Sequence, residues 1–142
     1  MDFIWGQNAL AWITKSVIEA TSGGFITASG RTSNDPGWYV IDHSSVTGPG
    51  QVSLGRPWGM YARVVFQYTN LNENVLAPGW SVWDNTTPVN NVYFGEHSNT
   101  GYVCSLDQRT KSEGSFFFIS PGAWSAYRAP FARNISTPVL IE

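Results

Sequence analysis

Apolar residues in this 142-residue chain fall into short runs broken by turn-forming clusters. Beyond residue 20 they do not recur at the three- and four-residue spacing of an amphipathic helix. The runs predict strands over Ala11–Ala20, Gly24–Ser29, Trp38–Val46, Gln51–Leu54, Ala62–Asn70 and Asn91–Gly95. The clusters between them are Thr21-Ser22-Gly23-Gly24, Asp35-Pro36-Gly37, Gly48-Pro49-Gly50 and Asn72-Glu73-Asn74, residue types that favour turns.

Three of the runs resemble one another: Trp12–Ile18, Tyr39–Val46 and Val64–Leu71. Each ends in Ser or Thr followed closely by an aliphatic residue, and a Gly- or Pro-containing turn and a second short strand precede the next. Such a period, with several short strands in each repeat, fits the stacked coils of a solenoid, in which every coil buries its apolar face against its neighbours. Periodicity alone leaves a β-sandwich with irregular strands open beside it. From about Gly101 onward the pattern changes, and Phe116-Phe117-Phe118-Ile119 is the one strong apolar run. This tail is expected to pack back along the solenoid. The whole chain, 1–142, then reads as one domain, with coils over about 2–100 and a tail over about 101–142.

Composition agrees with strands and turns. Charged residues make up 13% and aromatic ones 15%, with 14 Gly, 8 Pro and 7 Trp, the reverse of a disordered composition. The net charge of -2 comes without a basic stripe, which argues against nucleic acid as a partner. Cys104 is the only cysteine, so neither an intrachain disulfide nor a Cys/His zinc cluster can form. No apolar stretch approaches the roughly 18 residues of a membrane helix, and the first residues lack the basic-then-apolar layout of a signal peptide. Two glycosylation sequons occur, at Asn85-Thr86-Thr87 and Asn134-Ile135-Ser136.

Generic catalytic signals are few. The two histidines are His43, beside Asp42 in a strand pattern, and His97, after Glu96 in a Gly- and Asn-rich turn. There is no Gly-x-Ser-x-Gly elbow. For both histidines a local hydrogen-bonding role outweighs membership of a triad. Asp35, before Pro36, suits a turn initiator, and Asp42, Asp84, Asp107 and Glu113 carry no catalytic expectation.

Two other segments carry more information: Asp2-Phe3-Ile4-Trp5-Gly6 and Leu54-Gly55-Arg56-Pro57-Trp58. They resemble the two signature segments in the C-terminal half of pectin methylesterases (pectinesterases). Three further stretches agree in the same order: Gly24–Arg31, Ala77–Trp83 and Tyr93–Gly101. The similarity covers residues 2 to about 101, with a weaker continuation.

The resemblance implies an all-β fold, a right-handed parallel β-helix, here in N-terminally truncated form. It implies hydrolysis of the methyl esters of polygalacturonate, with pectin as partner, no cofactor or metal, a monomer when full length, and a secreted or cell-wall location. The family's nucleophilic aspartate falls on Asp2 and its arginine on Arg56, whose guanidinium can bind a carboxylate through two parallel hydrogen bonds. The substrate-stacking tryptophan falls on Trp58. Trp5 stands where Phe is usual, and Tyr61 is expected to line the same cleft, since flat aromatic faces suit sugar rings. Trp12, Trp38, Trp80, Trp83 and Trp124 are expected to pack within the coils.

In the family the acid/base aspartate and an oxyanion-stabilising glutamine lie upstream of the nucleophile segment. The chain is therefore expected to be weak or inactive by itself, the alternatives being a non-catalytic pectin-binding fragment or a structural β-helix. A calcium-dependent pectate lyase would need a cluster of calcium-binding carboxylates, which the sequence does not offer.

Overall fold

The computed structural model describes residues 1–101. Ten strands follow one another there: β1 (Asp2–Gly6), β2 (Ala11–Thr14), β3 (Val17–Glu19), β4 (Gly24–Ser29), β5 (Tyr39–Asp42), β6 (Ser45–Thr47), β7 (Val52–Pro57), β8 (Arg63–Gln67), β9 (Asn70–Leu71) and β10 (Tyr93–His97). Every strand pairing is parallel. The pairings gather the strands into sheet A (order β1-β4-β7), sheet B (β10-β8-β5-β2) and sheet C (β3-β6-β9). The chain visits A, B and C in turn and returns to A one strand further along. Three full coils stack in this way, and a fourth begins with β10 and the parallel bridges Val52↔Val75, Gly55↔Trp80 and Asn70↔Thr100. This is a parallel β-helix, the solenoid rather than the sandwich. The tail over 102–142, with Phe116–Ile119, Trp124 and the sequon at Asn134, lies outside the described residues.

The interior is built by register. Ile13, Ile41 and Phe66 are successive partners on sheet B, as are Ile18, Val46 and Leu71 on sheet C. Ile41, Phe66, Ile18, Val46 and Leu71 join Ile26, Leu54, Val52, Val64 and Phe94 in one apolar column down the axis. Side chains alternate faces along a strand, so the residues between them point outward. On sheet B one outward row runs Thr14, Asp42, Gln67, His97. It is stitched to Asp42: Thr14 Oγ1 donates to Oδ2 at 3.0 Å, Gln67 Nε2 to Oδ1 at 2.6 Å, and His43 Nδ1 lies 2.9 Å from Oδ1.

The structure corrects the three long expected strands. Each divides in two at a residue with left-handed backbone: Lys15 (φ 50), His43 (φ 43) and Tyr68 (φ 49), with Ser98 (φ 50) at the matching place in the fourth coil. This conformation costs an ordinary residue roughly 1–2 kcal/mol. At each corner it turns the chain from sheet B to sheet C, a bend that the continuous apolar pattern conceals.

The Ser or Thr after each bend explains the repeat seen in sequence. Ser16, Ser44 and Thr69 each donate their hydroxyl to the carbonyl two residues back, those of Thr14, Asp42 and Gln67, at 2.9, 2.7 and 2.9 Å. Two of these oxygens also accept from the coil before: the Ser16 N–H reaches Ser44 Oγ at 3.2 Å and the Ser44 N–H reaches Thr69 Oγ1 at 3.4 Å. Asn99 Oδ1 extends the ladder by accepting the Thr69 N–H at 3.0 Å.

Two outcomes follow for stability. Thr69 is fully buried, so Thr69→Val keeps its volume but leaves the Gln67 carbonyl and the Ser44 N–H without this partner, at an expected cost of about 1–3 kcal/mol in urea unfolding. Burial raises the pKa of Asp42, but hydrogen bonds from His43, Gln67 and Thr14 outweigh it and hold the carboxyl below its usual 3.8. A carboxyl depressed on folding stabilises above its unfolded value and loses that contribution as pH falls through the folded one. Stability of the wild type should therefore fall more steeply below pH 3.8 than that of Asp42→Asn, measured as urea midpoints across an acid series.

Candidate active site

Sheet A carries both residues that the opening motifs single out. Asp2 begins β1 and is in register with Phe25 of β4, itself in register with Ser53 of β7. Trp5, Ala28 and Arg56 form a second row across the same strands. Asp2 and Arg56 thus lie two strands apart and three residues along, roughly 14 Å at the backbone given the usual strand spacing and rise, and the long arginine side chain closes the gap by running back over β4. Its guanidinium meets the carboxylate with two parallel bonds: Nε to Oδ1 at 3.0 Å and Nη2 to Oδ2 at 2.8 Å. The side chains remain 23% and 20% exposed, so the pair is sheltered yet reachable from solvent. The planar fork restrains both carboxylate oxygens at once, which a lysine cannot do.

Aromatic rings hold the guanidinium on both sides. Its central carbon lies 4.2 Å from the Phe25 ring centre and 4.1 Å from that of Trp83. Each such contact contributes about 0.5–1 kcal/mol at an exposed site and more when desolvated. Trp83 also lies alongside Trp58, with centroids 6.1 Å apart and planes 30° from parallel, and Trp58 meets the edge of Trp5 at 6.0 Å. Trp5 is 66% exposed. A chain of three indoles thus leads from the Arg56 guanidinium, through Trp83 and Trp58, to Trp5.

Small residues make this packing possible. A Cβ on Gly30 would stand 2.4 Å from Cε3 of the Trp58 ring, so the indole lies directly on the Gly30 backbone. At Gly55, beside Arg56, a Cβ would meet Thr27 Oγ1 at 2.1 Å. Next to Gly30, Arg31 is 1% exposed and holds the loop that leads to sheet B. Its Nε donates to Asp35 Oδ1 at 2.8 Å, its Nη1 to the Tyr61 carbonyl at 2.6 Å, and its Nη2 to the Asp35 carbonyl. Burial raises the Asp35 pKa, but the Arg31 hydrogen bond, the Gly37 amide and the Arg31 charge together bring it below the usual value. Asp35 is therefore an ion-pair partner as well as a turn residue.

The structure brings together Asp2, Arg56, Trp58 and Trp5. Tyr61 sits three residues beyond Trp58 with a partly exposed ring, and the backbone on both sides of that ring is tied to Arg31. Trp80 packs in the core as expected, stacked on Phe94 at 4.3 Å with its Nε1 donating to Glu96 Oε1 at 3.1 Å. Trp83 departs from expectation, since it covers Arg56 instead of packing inside a coil. Nothing in the sequence separates Trp83 from Trp80, since both stand in one aromatic run.

The histidines belong to other sheets. His43 rests against Asp42 and stacks on Tyr68 at 4.8 Å, and Tyr68 meets the edge of His97 at 5.2 Å. They line the corner after sheet B, and His97 ends β10 rather than sitting in a turn. Among the described residues no three His, Cys, Asp or Glu side chains converge to hold a metal ion.

With this geometry in hand, comparison with known proteins is direct. The sequence model of the pectinesterase family matches residues 1–129. The chain is 42% identical to a pectinesterase of Aspergillus niger over all of its own length and 40% of that protein. It is 42% identical to a pectinesterase of Aspergillus aculeatus over 71% of this chain and 34% of the relative. It thus spans well under half the length of these curated relatives. Among solved structures, the pectin methylesterase from carrot superposes with a TM-score of 0.75 at 25% identity, covering 91% of this chain and 49% of that one. The deglycosylated pectin methylesterase of Aspergillus niger gives 0.70 at 28% identity, covering 83% and 38%. Family match, sequence identity and structural superposition agree, and the chain belongs to the pectinesterase family.

Proposed function

We propose that this chain carries the nucleophile half of a pectin methylesterase site, in which Asp2 attacks the methyl ester of a galacturonate unit. The bidentate Asp2–Arg56 pair is the observation that carries the reading. It holds the carboxylate in a fixed orientation, at the exposed face of a sheet rather than within the core. Attack on the ester carbonyl gives a tetrahedral intermediate, methanol leaves with a proton, and water hydrolyses the acyl-enzyme to return Asp2 and a free galacturonate carboxylate. Trp58 and Trp5 are the proposed cleft walls for the sugar rings, with Tyr61 further along the same edge. The substrate is then methylated polygalacturonate, and the setting a secreted or cell-wall one.

General acid/base help contributes about 10²–10⁴ in rate and oxyanion donors roughly 10²–10³. The resemblance places both in a segment upstream of the nucleophile. Residues 1–142 are accordingly read as one segment of a β-helix domain whose full activity needs that segment.

Binding without turnover is the second reading. The 66% exposed Trp5 beside Trp58 favours it, as an aromatic surface open to a polymer.

Three measurements separate the readings. The chain should release methanol from methyl-esterified pectin at least about 10²-fold more slowly than a complete pectinesterase, and Asp2→Asn should abolish the release. A rate equal to the complete enzyme's, or one that survives Asp2→Asn, would count against the assignment. Polygalacturonate should bind the wild type and lose affinity with Trp58→Ala, by roughly 10-fold for one lost stacking ring. Gly30→Ala should weaken the same binding by displacing the indole and cost about 1–3 kcal/mol in stability. If Gly30→Ala binds normally, Trp58 is not the wall.

A further inference from the structure

Trp83 stands on a segment that is anchored to the coils just before it and folded into a local turn just after it. Before it, Trp80 is buried between Phe66 and Phe94, bridges Gly55 on sheet A, and bonds Glu96. Ser81 then donates its N–H to the Gly55 carbonyl at 3.0 Å, so the chain runs beside the residue that precedes Arg56. After it, Asp84 Oδ1 accepts from the N–H and hydroxyl of both Thr86 and Thr87, between 2.6 and 3.0 Å. Those bonds hold the Asp84 carboxyl down to a pKa of about 2. A ring on an unanchored loop would cover a guanidinium only part of the time, whereas this one follows within three residues of the anchored Trp80 and Ser81.

We propose that Trp83 is a positioning residue of the site: with Phe25 below, it clamps the Arg56 guanidinium plane so that both of its N–H groups stay aligned with both oxygens of Asp2. The clamp is needed because the arginine spans two strands. A side chain extended that far has several rotamers open to it, and its ion pair with Asp2, at 20–23% exposure, is open to competing water. Two ring faces at 4.2 and 4.1 Å remove the rotations that would turn the fork edge-on to the carboxylate. Trp83 also touches Trp58, so a ligand that moves Trp58 is felt at Arg56 through one intervening ring. The consequence for reactivity rests on the reading of Asp2 and Arg56 as the reacting pair. The clamp itself does not.

Arginine side-chain NMR on the whole chain tests it. In the wild type the Arg56 Nη groups should give separate signals, because the two-sided clamp and the bidentate pair slow rotation about the Nε–Cζ bond. Trp83→Phe keeps a ring face and should preserve them. Trp83→Leu keeps apolar bulk without a π face and should merge them, while the signals of buried Arg31 stay unchanged as the control for folding. Arg56 signals as well resolved in Trp83→Leu as in the wild type would overturn the proposal. Methanol release should fall by roughly 10-fold or more in Trp83→Leu, as misaligned groups lose rate steeply, and recover in Trp83→Phe. Merged signals with undiminished release would uphold the clamp and instead refute the role given to the Asp2–Arg56 pair.

Discussion

In-register parallel pairing between successive coils is the constraint on which the rest of this structure depends. A solenoid coil has no interior of its own. Its apolar residues are buried only because the next coil sets a like residue above them, Ile41 over Ile13 and Phe66 over Ile41. One residue of slip would turn every inward side chain outward. Register must therefore be restored after each turn, and the corners do this. Left-handed residues at Lys15, His43, Tyr68 and Ser98 make the same bend in each coil, and the hydroxyl ladder of Ser16, Ser44 and Thr69 ties each bend to the next.

The same register creates the site. Asp2 and Arg56 are 54 positions apart, yet two pairings across β4 bring them onto one sheet, three residues apart in register. The rows supply the approximate placement, and side-chain chemistry the remainder. A planar fork meets a planar carboxylate, two rings confine the fork, and glycines at 30 and 55 make room for an indole and a threonine where any Cβ would collide. Core and site are linked through a few residues: Trp80 anchors the interior of the fourth coil, and three residues later Trp83 covers the guanidinium.

Polar groups divide by sheet. Sheet A holds the Asp2–Arg56 pair in partial contact with water, suited to a reacting group. Sheet B holds Asp42 in a web of Thr14, Gln67 and His43, and the loop between A and B closes Arg31 onto Asp35. These last two are structural carboxylates, saturated by partners and buried or tied down. The sequence offered no means of telling Asp2 from Asp42 by composition, since both sit among apolar residues. The distinction came from the motif around Asp2 and then from what surrounds each carboxyl in space.

Much was legible beforehand because it depends on local chemistry. Turn clusters marked the coil boundaries, short β-rich runs marked the strands, and the repeated Ser or Thr near the end of each run marked the corners, although the hydroxyl's purpose was hidden. The motifs at Asp2 and Leu54–Trp58 identified the family and with it the fold. The split of the long runs at Lys15, His43 and Tyr68 was not legible, because an ordinary residue forced to positive φ leaves no compositional trace when neighbouring coils stabilise it. Nor was the place of Trp83, whose role depends on which side of the wall Trp80 occupies. Sequence by itself determined the strand-and-turn character, the family and the motif residues proposed for the site. Tertiary structure alone decided the meeting of Asp2 with Arg56 and the closing of Phe25 and Trp83 around it, because those contacts join residues from separate coils that only register brings within reach.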